Sequence, residues 1–336
     1  MKTKWYFFLL TILAASASIY VLFDFKEEQP IKIGVLMVGE NRYEKFLGLQ
    51  KGIEELGFGE SEIDYTLRNA NDNQETLREQ IGFLLHSKLD LIVTLGGIET
   101  SMLKEEMVRL NKKIPVVFAG VAAPKELGLI DDYRKPGGQF TGINNYHTSI
   151  SGKRLELLTS LVPSITKVHV IYDSEIKVSQ LSLNETIEAA NKLNILIEPS
   201  NVNTDGSLRT LRKTIEKDEG VLVLPSYRIE SLTNEIVSLA NEKHIPAMGL
   251  YEFDAEQGML ASYGASFYSQ GYQAARFVSL IIQGNQAADL PVELPDSIRF
   301  VLNKQTKESL NVSYNQDLLM TTDFIVNSDN KGGQNQ

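Results

Sequence analysis

The chain states one β/α pattern twice. Leu89-Asp90-Leu91-Ile92-Val93-Thr94-Leu95 runs through a helical stretch into Asn111-Lys112-Lys113-Ile114-Pro115-Val116-Val117-Phe118. Gly220-Val221-Leu222-Val223-Leu224-Pro225 runs through a second into Asn241-Glu242-Lys243-His244-Ile245-Pro246-Ala247-Met248. Leu91 to Ile114 is an interval of 23 residues and Val221 to Ile245 one of 24. Upstream, Lys32-Ile33-Gly34-Val35-Leu36-Met37 is echoed by Lys167-Val168-His169-Val170-Ile171-Tyr172, and Gly52-Ile53-Glu54-Glu55-Leu56-Gly57 by Thr186-Ile187-Glu188-Ala189-Ala190-Asn191. Two α/β units of one design imply a cleft between them, and clefts are where ligands bind.

The 336 residues suit about two domains. The net charge is −10, and the first 29 residues are neutral, so the remainder carries all of it. An acidic body argues against a nucleic-acid partner, because phosphate binding requires a basic face. With no cysteine, disulfides, thiolate nucleophiles, cysteine-bearing metal sites and a lipid-modified N-terminal cysteine are all excluded. His86, His147, His169 and His244 are scattered without a pair at ligand spacing, so no metal site is expected. His147 reads as a surface residue near a hinge.

Lys2 and Lys4 precede the apolar run from Trp5, and Ala15-Ser16-Ala17 offers small residues at a cleavage-type position. This is the pattern of a secretory signal. Apolar character continues to Phe23, which gives 19 residues and just reaches the length of a membrane-crossing helix, so an uncleaved anchor is the competing reading. Residues 1–23 are therefore a signal peptide or an N-terminal anchor, and the folded part is expected in the periplasm or otherwise outside the cytoplasmic membrane.

Strands are expected at residues 31–38, 63–67, 91–95 and 116–119, with helices at about 43–56, 73–86 and 99–110 between them. The second unit reads as helix 151–161, strand 168–172, helix 181–193, strand 195–199, helix 207–216, strand 221–224, helix 229–241 and strand 247–250. Strands alternating with amphipathic helices specify parallel sheets. A short strand 258–263 and a helix 268–283 closed by Gly284 follow. The tail 328–336 has no apolar residue and is expected to be disordered.

Neither phosphate-loop nor dinucleotide glycine motif follows a strand, no G-x-S-x-G elbow occurs, and no carboxylate pair stands out. The reading is a binder rather than an enzyme, with no cofactor, no metal and no catalytic residue. In open parallel sheets, ligands sit beyond the carboxyl ends of the strands. That nominates residues 37–42, 96–100, 120–124, 225–228 and 250–254. Gly96-Gly97 before a helix exposes N–H groups suited to a carboxylate, or else simply turns tightly with Thr100 or Glu99 capping the helix. Glu99 is either an amine partner or a helix cap. Tyr227 and Arg228 either stack on and pair with a ligand or form a solvated loop pair; Asp254 and Glu252 pose the same choice.

Ile114-Pro115-Val116-Val117-Phe118, Pro124, Gly128-Leu129-Ile130 and Pro136-Gly137-Gly138-Gln139-Phe140-Thr141-Gly142-Ile143 resemble the substrate-binding proteins of ABC importers. The similar subgroup includes tryptophan/tyrosine-type uptake proteins with the type I periplasmic-binding-protein fold. Gly258 to Gly264, Gly271-Tyr272-Gln273-Ala274-Ala275, Gly284, Leu290-Pro291-Val292-Glu293 and Asn303 with Lys307 to Leu310 match as well. The resemblance implies an α/β protein of two Rossmann-like lobes with parallel sheets and three hinge crossings, near residues 143–145, 262–265 and 295–300. Lobe 1 would hold 31–143 and about 265–297; lobe 2 would hold 144–264 and about 298–325.

The chain departs from that family at informative places. Ala123 stands where the family usually has aspartate, Gly97 where it often has a hydroxyl residue, and Pro225-Ser226-Tyr227-Arg228 lacks an acid common there. Losing the aspartate removes a counter-charge that a desolvated ammonium requires. The resemblance implies an extracytoplasmic component of an ABC importer that closes on a small organic, amino-acid-like ligand. Its expected partner is a membrane permease, and the protein is expected to be a monomer. The expected ligand contacts are Gly96, Gly97 and Thr100 for an anionic group and Asn144 beside the hinge. Ala123 stands at the departed anchor, Ser226, Tyr227 and Arg228 close from the second lobe, and Glu99 or Asp254 are substitute amine partners. The alternative is a membrane-anchored sensory or accessory ligand-binding module.

Overall fold

Twelve strands fall into two sheets in the computed structural model, which describes residues 29–204, 206–322 and the backbone of 324–326. The N-terminal apolar segment and the tail 328–336, read above as signal or anchor and as a disordered end, lie outside the described residues. The first sheet contains β1 (Ile31–Met37), β2 (Ile63–Asn69), β3 (Leu91–Thr94), β4 (Val116–Val121) and β5 (Phe140–Asn144), ordered β2-β1-β3-β4-β5. All its pairings are parallel.

The second sheet adds β6 (Lys167–Tyr172), β7 (Leu196–Asn201), β8 (Glu219–Val223), β9 (Ala247–Gly249), β10 (Ala261–Gly264), β11 (Arg299–Asn303) and β12 (Phe324–Val326). Its order is β12-β11-β10-β9-β8-β6-β7. Within it, β7-β6-β8-β9-β10 repeats the order of the first sheet strand for strand. The sequence repeat is therefore a repeat of topology. β11 runs antiparallel to β10, and β12 parallel to β11.

Helices cover both faces of each sheet, and this is why the central strands read as nearly unbroken apolar runs while the edge strands β2 and β7 stay mixed. Every residue of β3, β4 and β8 is buried. On one face of the first sheet, Leu36, Ile92 and Phe118 pack with Leu77, Ile81 and Leu103 of the helices Gln74–His86 and Gly97–Arg109. On the other, Ile33, Val35 and Val93 meet Phe46 and Leu49 of the helix Tyr43–Glu55 and Ala274 and Phe277 of Phe267–Ile282. Each such aliphatic or aromatic side chain contributes about 1.5–3 kcal/mol on burial.

The helix Phe267–Ile282 follows a strand of the second sheet but packs on the first lobe, against Tyr43–Glu55. The two backbones approach so closely that a Cβ at Gly271 would stand 1.8 Å from the Lys45 carbonyl oxygen. Three chain crossings join the lobes: after β5, after β10, and before β11. The first and third run side by side, with the Asn144 N–H donating to the Glu293 carbonyl at 2.8 Å and the Glu293 N–H to the Gly142 carbonyl at 3.1 Å.

Three local expectations differ. The stretch 229–241 is two helices, Tyr227–Ser231 and Thr233–Lys243, because Ser226 caps the first early by accepting from the Arg228 N–H. The segment after β9 is no open loop: Glu252–Gln257 is helical, and Gly258, at φ 120°, ends it and delays β10 to Ala261. His147 is fully buried rather than at the surface. Arg154 donates to its carbonyl oxygen at 2.9 Å and to its Nδ1, and its ring lies edge-on to Tyr251 at 4.7 Å. No helix among the described residues is long and apolar enough to cross a membrane.

Candidate functional site

In each sheet the strand order reverses beside its first strand, so the connections leaving β1 and β3 diverge, as do those leaving β6 and β8. Such switch points open a crevice at the carboxyl ends of the strands. The two crevices face one another across a cavity of about 340 Å³ lined by both lobes.

After β1, the short 3₁₀ turn Glu40–Arg42 carries Arg42 into this cavity. Arg42 Nη1 donates to both carboxylate oxygens of Glu99 at 2.6 Å, and Nη2 pairs with Glu230 of the second lobe at 3.0 Å. Glu99 is fully buried and also accepts from the Val38 N–H at 3.1 Å. Burial works against the Arg42 charge, but Glu230 and Glu99 outweigh it and hold the guanidinium more firmly protonated than usual. Gly96 makes room for this cluster. A Cβ there would stand 1.6 Å from Arg42 Nη1, whereas one at Gly97 would meet only Val121 Cγ1 at 3.9 Å.

Lys45, on the first turn of the helix Tyr43–Glu55, also lines the cavity at 1% exposure. Its Nζ donates to the Ala119 carbonyl at 2.9 Å and stands 5.0 Å from the Phe267 ring centre. Burial, reinforced by the neighbouring Arg42 charge, lowers its pKa from 10.5 to about 7, with Glu230 and Glu99 opposing.

From the second lobe, Ser226, Tyr227, Glu230 and Tyr251 complete the walls. The Ser226 hydroxyl donates to Asp173 Oδ2 at 2.7 Å. The Tyr227 hydroxyl accepts from Gln74 Nε2 across the cleft at 2.7 Å, and the Tyr251 hydroxyl donates to Glu230 Oε1 at 3.3 Å. Ile98, Leu127, Ile176 and Val178 supply apolar surface.

Each of the five nominated stretches reaches the cavity, and of the expected ligand contacts Gly96, Gly97, Ser226 and Tyr227 line it. Glu99 stands behind Arg42 as its partner. Thr100 closes the turn before its helix, with its hydroxyl against Thr94 Oγ1 at 2.7 Å and the Gly96 carbonyl at 2.5 Å. Ala123 adopts φ 50° and is set back, while its neighbour Ala122 lines the cavity. Asn144 accepts from the Tyr146 N–H at 2.9 Å, and it is Asn145 that reaches the cavity. Arg228 turns away to Asp173 and Glu175, at 3.2 and 2.8 Å. Asp254, 3% exposed, accepts from the N–H groups of Leu250 and Tyr251 at 2.8 and 3.0 Å. Burial raises its pKa to about 6 despite those donors.

Lys45, Asn145 and Glu230 escaped the sequence reading, while Tyr251 lies in the nominated stretch 250–254. Only Lys45 left a signal. It shares the buried helix face with Gly48, Leu49 and Gly52, so a cation sits where the 3.6-residue period asks for an apolar side chain.

Comparison with known proteins bears on the fold and the family. A curated tyrosine-binding protein of Clostridioides difficile (strain R20291) is 26% identical over 291 residues, 86% of this chain and 83% of that protein. An ABC domain from Streptococcus pneumonia, solved in complex with L-Trp, superposes with a TM-score of 0.79 at 21% identity, covering 88% of this chain and 100% of that one. A ligand-free, open substrate-binding protein with adhesive properties from Clostridium difficile does so at 0.67 and 22% identity, over 89% and 99%. The two structures establish the fold: two α/β lobes of the type I periplasmic-binding-protein kind. Residues 30–326 match the family described as ABC transporter substrate binding protein. With that match spanning both sheets and all three crossings, the chain belongs to the ABC transporter substrate-binding protein family.

Proposed function

We propose that this protein is the extracytoplasmic solute-binding component of an ABC importer, that it traps an amino-acid-like ligand by hinge closure, and that it delivers this ligand as a monomer to a membrane permease. Residues 31–143 with about 265–297 form the lobe that carries Arg42 and Lys45. Residues 144–264 with about 298–325 form the lobe that closes on it. Gly96, Gly97, Ser226 and Tyr227 face the ligand.

The observation that carries this reading is the cavity itself, walled by both lobes and spanned by the Arg42–Glu230 ion pair. A ligand that touches both walls favours the closed form by its differential contact energy. The cavity mixes a few charged groups with apolar and aromatic walls, which suits an amino acid with a large side chain. The tyrosine-binding relative and the L-Trp complex support the aromatic class.

The test is a thermal-shift and calorimetric screen of the twenty amino acids with nucleosides and simple sugars as controls. L-tyrosine or L-tryptophan at a hundred times its Kd stabilises the protein by about 2.7 kcal/mol, seen as a rise in Tm. A folded protein whose Tm responds to no amino acid rules the proposal out.

A further inference from the structure

We infer that Lys45 is the anion anchor of the cleft, and that the ligand presents a carboxylate to its ammonium group. This deepens the solute-binding reading above and rests on it.

The cavity holds two buried cations in different states. Arg42 is fully committed: its guanidinium is divided between Glu99 and Glu230. Lys45 carries three N–H donors and uses one, on the Ala119 carbonyl. Among the described residues it forms no ion pair, yet it is 1% exposed and lines the cavity. An ammonium shut away from water with two donors idle is costly unless something else pairs with it. The cavity gives a partner access to it. A ligand carboxylate there forms a charge-assisted contact in a water-poor site, the strongest kind the cleft offers.

The groups facing Lys45 explain why the place stays open. Arg42, from the preceding turn, repels it; Glu230 and Glu99 attract it but are both paired with Arg42. The buried His147 is kept uncharged, chiefly by desolvation and the Arg154 charge, with Lys45 adding to both. From the helix Phe267–Ile282 come the Phe267 ring and the Gln270 amide, whose Oε1 has no hydrogen-bond partner. None of these supplies a free anion. Because burial brings the ammonium close to neutrality at about pH 7, an arriving carboxylate draws a proton onto it. Affinity is then greatest below pH 7 and falls as Lys45 deprotonates, about tenfold between pH 6 and pH 8.

The experiment compares L-tyrosine with tyramine, its counterpart without the carboxylate, on wild type and on Lys45→Met, by calorimetry at pH 6 and pH 8. Wild type is expected to prefer L-tyrosine about 10- to 100-fold. In Lys45→Met that preference and the pH dependence both collapse, while the ligand-free variant melts no lower than wild type, because an unpaired buried charge has been removed. If Lys45→Met does not fold, the wild-type comparison still decides. Wild type binding tyramine as tightly as L-tyrosine, or a folded variant that keeps both the preference and the pH dependence, overturns the anchor and leaves the solute-binding reading standing. Wild type binding neither L-tyrosine nor any other amino acid or carboxylate takes down that reading and this inference together.

Discussion

Arg42 and Glu230 stand 188 residues apart in sequence and are joined across the cleft by an ion pair of 3.0 Å, with both side chains nearly buried. Glu99 holds the same guanidinium from its own lobe, so Arg42 is oriented by one lobe and captured by the other. Under the proposed hinge closure the pair acts as a latch, because it exists only when the lobes are together.

Glu230→Gln weakens that latch without changing its shape. A hydrogen bond to a charged group contributes about 1.5–3 kcal/mol, which is enough to shift a two-state opening equilibrium at least tenfold. The expected outcome is a larger radius of gyration for the ligand-free variant in small-angle scattering, restored by ligand. An unchanged radius would remove the latch from the closing mechanism.

Gly96 and Gly97 are adjacent and should respond oppositely to substitution. Gly96→Ala drives a methyl group into Arg42 Nη1, separating the guanidinium from Glu99; breaking such a buried pair costs about 3–5 kcal/mol. Gly97→Thr meets Val121 Cγ1 at an ordinary 3.9 Å contact and leaves stability within about 1 kcal/mol while placing a hydroxyl at the cavity wall. Thermal melts of the two variants check this. Equal Tm values would mean that Arg42 can move aside at little cost.

Asp254 gives a pH signature. Its folded pKa of about 6 lies above the ordinary value of 3.8, so between those values the folded protein holds a proton that the unfolded chain has lost. Stability from this residue is present at low pH and declines as pH rises through 6. Asp254→Asn lacks the decline. Measured by urea unfolding, the variant should gain about 2–3 kcal/mol relative to wild type between pH 4 and pH 7. A constant difference across that window would place the titration elsewhere.

Arg154 binds two of the crossings together. It is fully buried, forms no ion pair among the described residues, and donates to the Tyr263 carbonyl at 2.6 Å and to the His147 carbonyl at 2.9 Å. Burial lowers its pKa to about 9. Arg154→Met leaves those acceptors empty, at about 1–3 kcal/mol each, offset in part by removing a desolvated charge. Faster hydrogen exchange of the amides at 144–147 and 263–266 is expected. Exchange confined to the helix Ser151–Leu161 would show that Arg154 supports its own helix alone.

The β/α alternation was legible in the sequence because parallel strands buried on both faces must be apolar throughout, and their helices must carry an apolar stripe. Helix ends were less legible. Ser226 and Asp254 act through capping bonds that start Tyr227–Ser231 and hold the turn into Glu252–Gln257, and such bonds depend on where the backbone already runs. His147 looked like a surface residue because histidine is indifferent to burial until its partners are known, and those are Arg154 and Tyr251.

What the sequence alone determined is the doubled unit: two successions of strands and amphipathic helices, with loop ends such as Gly96-Gly97 and Ser226-Tyr227 at the carboxyl edges of their strands. What only the tertiary structure decided is the division of charge within the cleft. Periodicity is a local property, set by a helix or strand facing its own core. Ion pairing follows distance and desolvation, and these brought Glu99 and Glu230 to Arg42 from 57 and 188 residues away while leaving Lys45 without an anion.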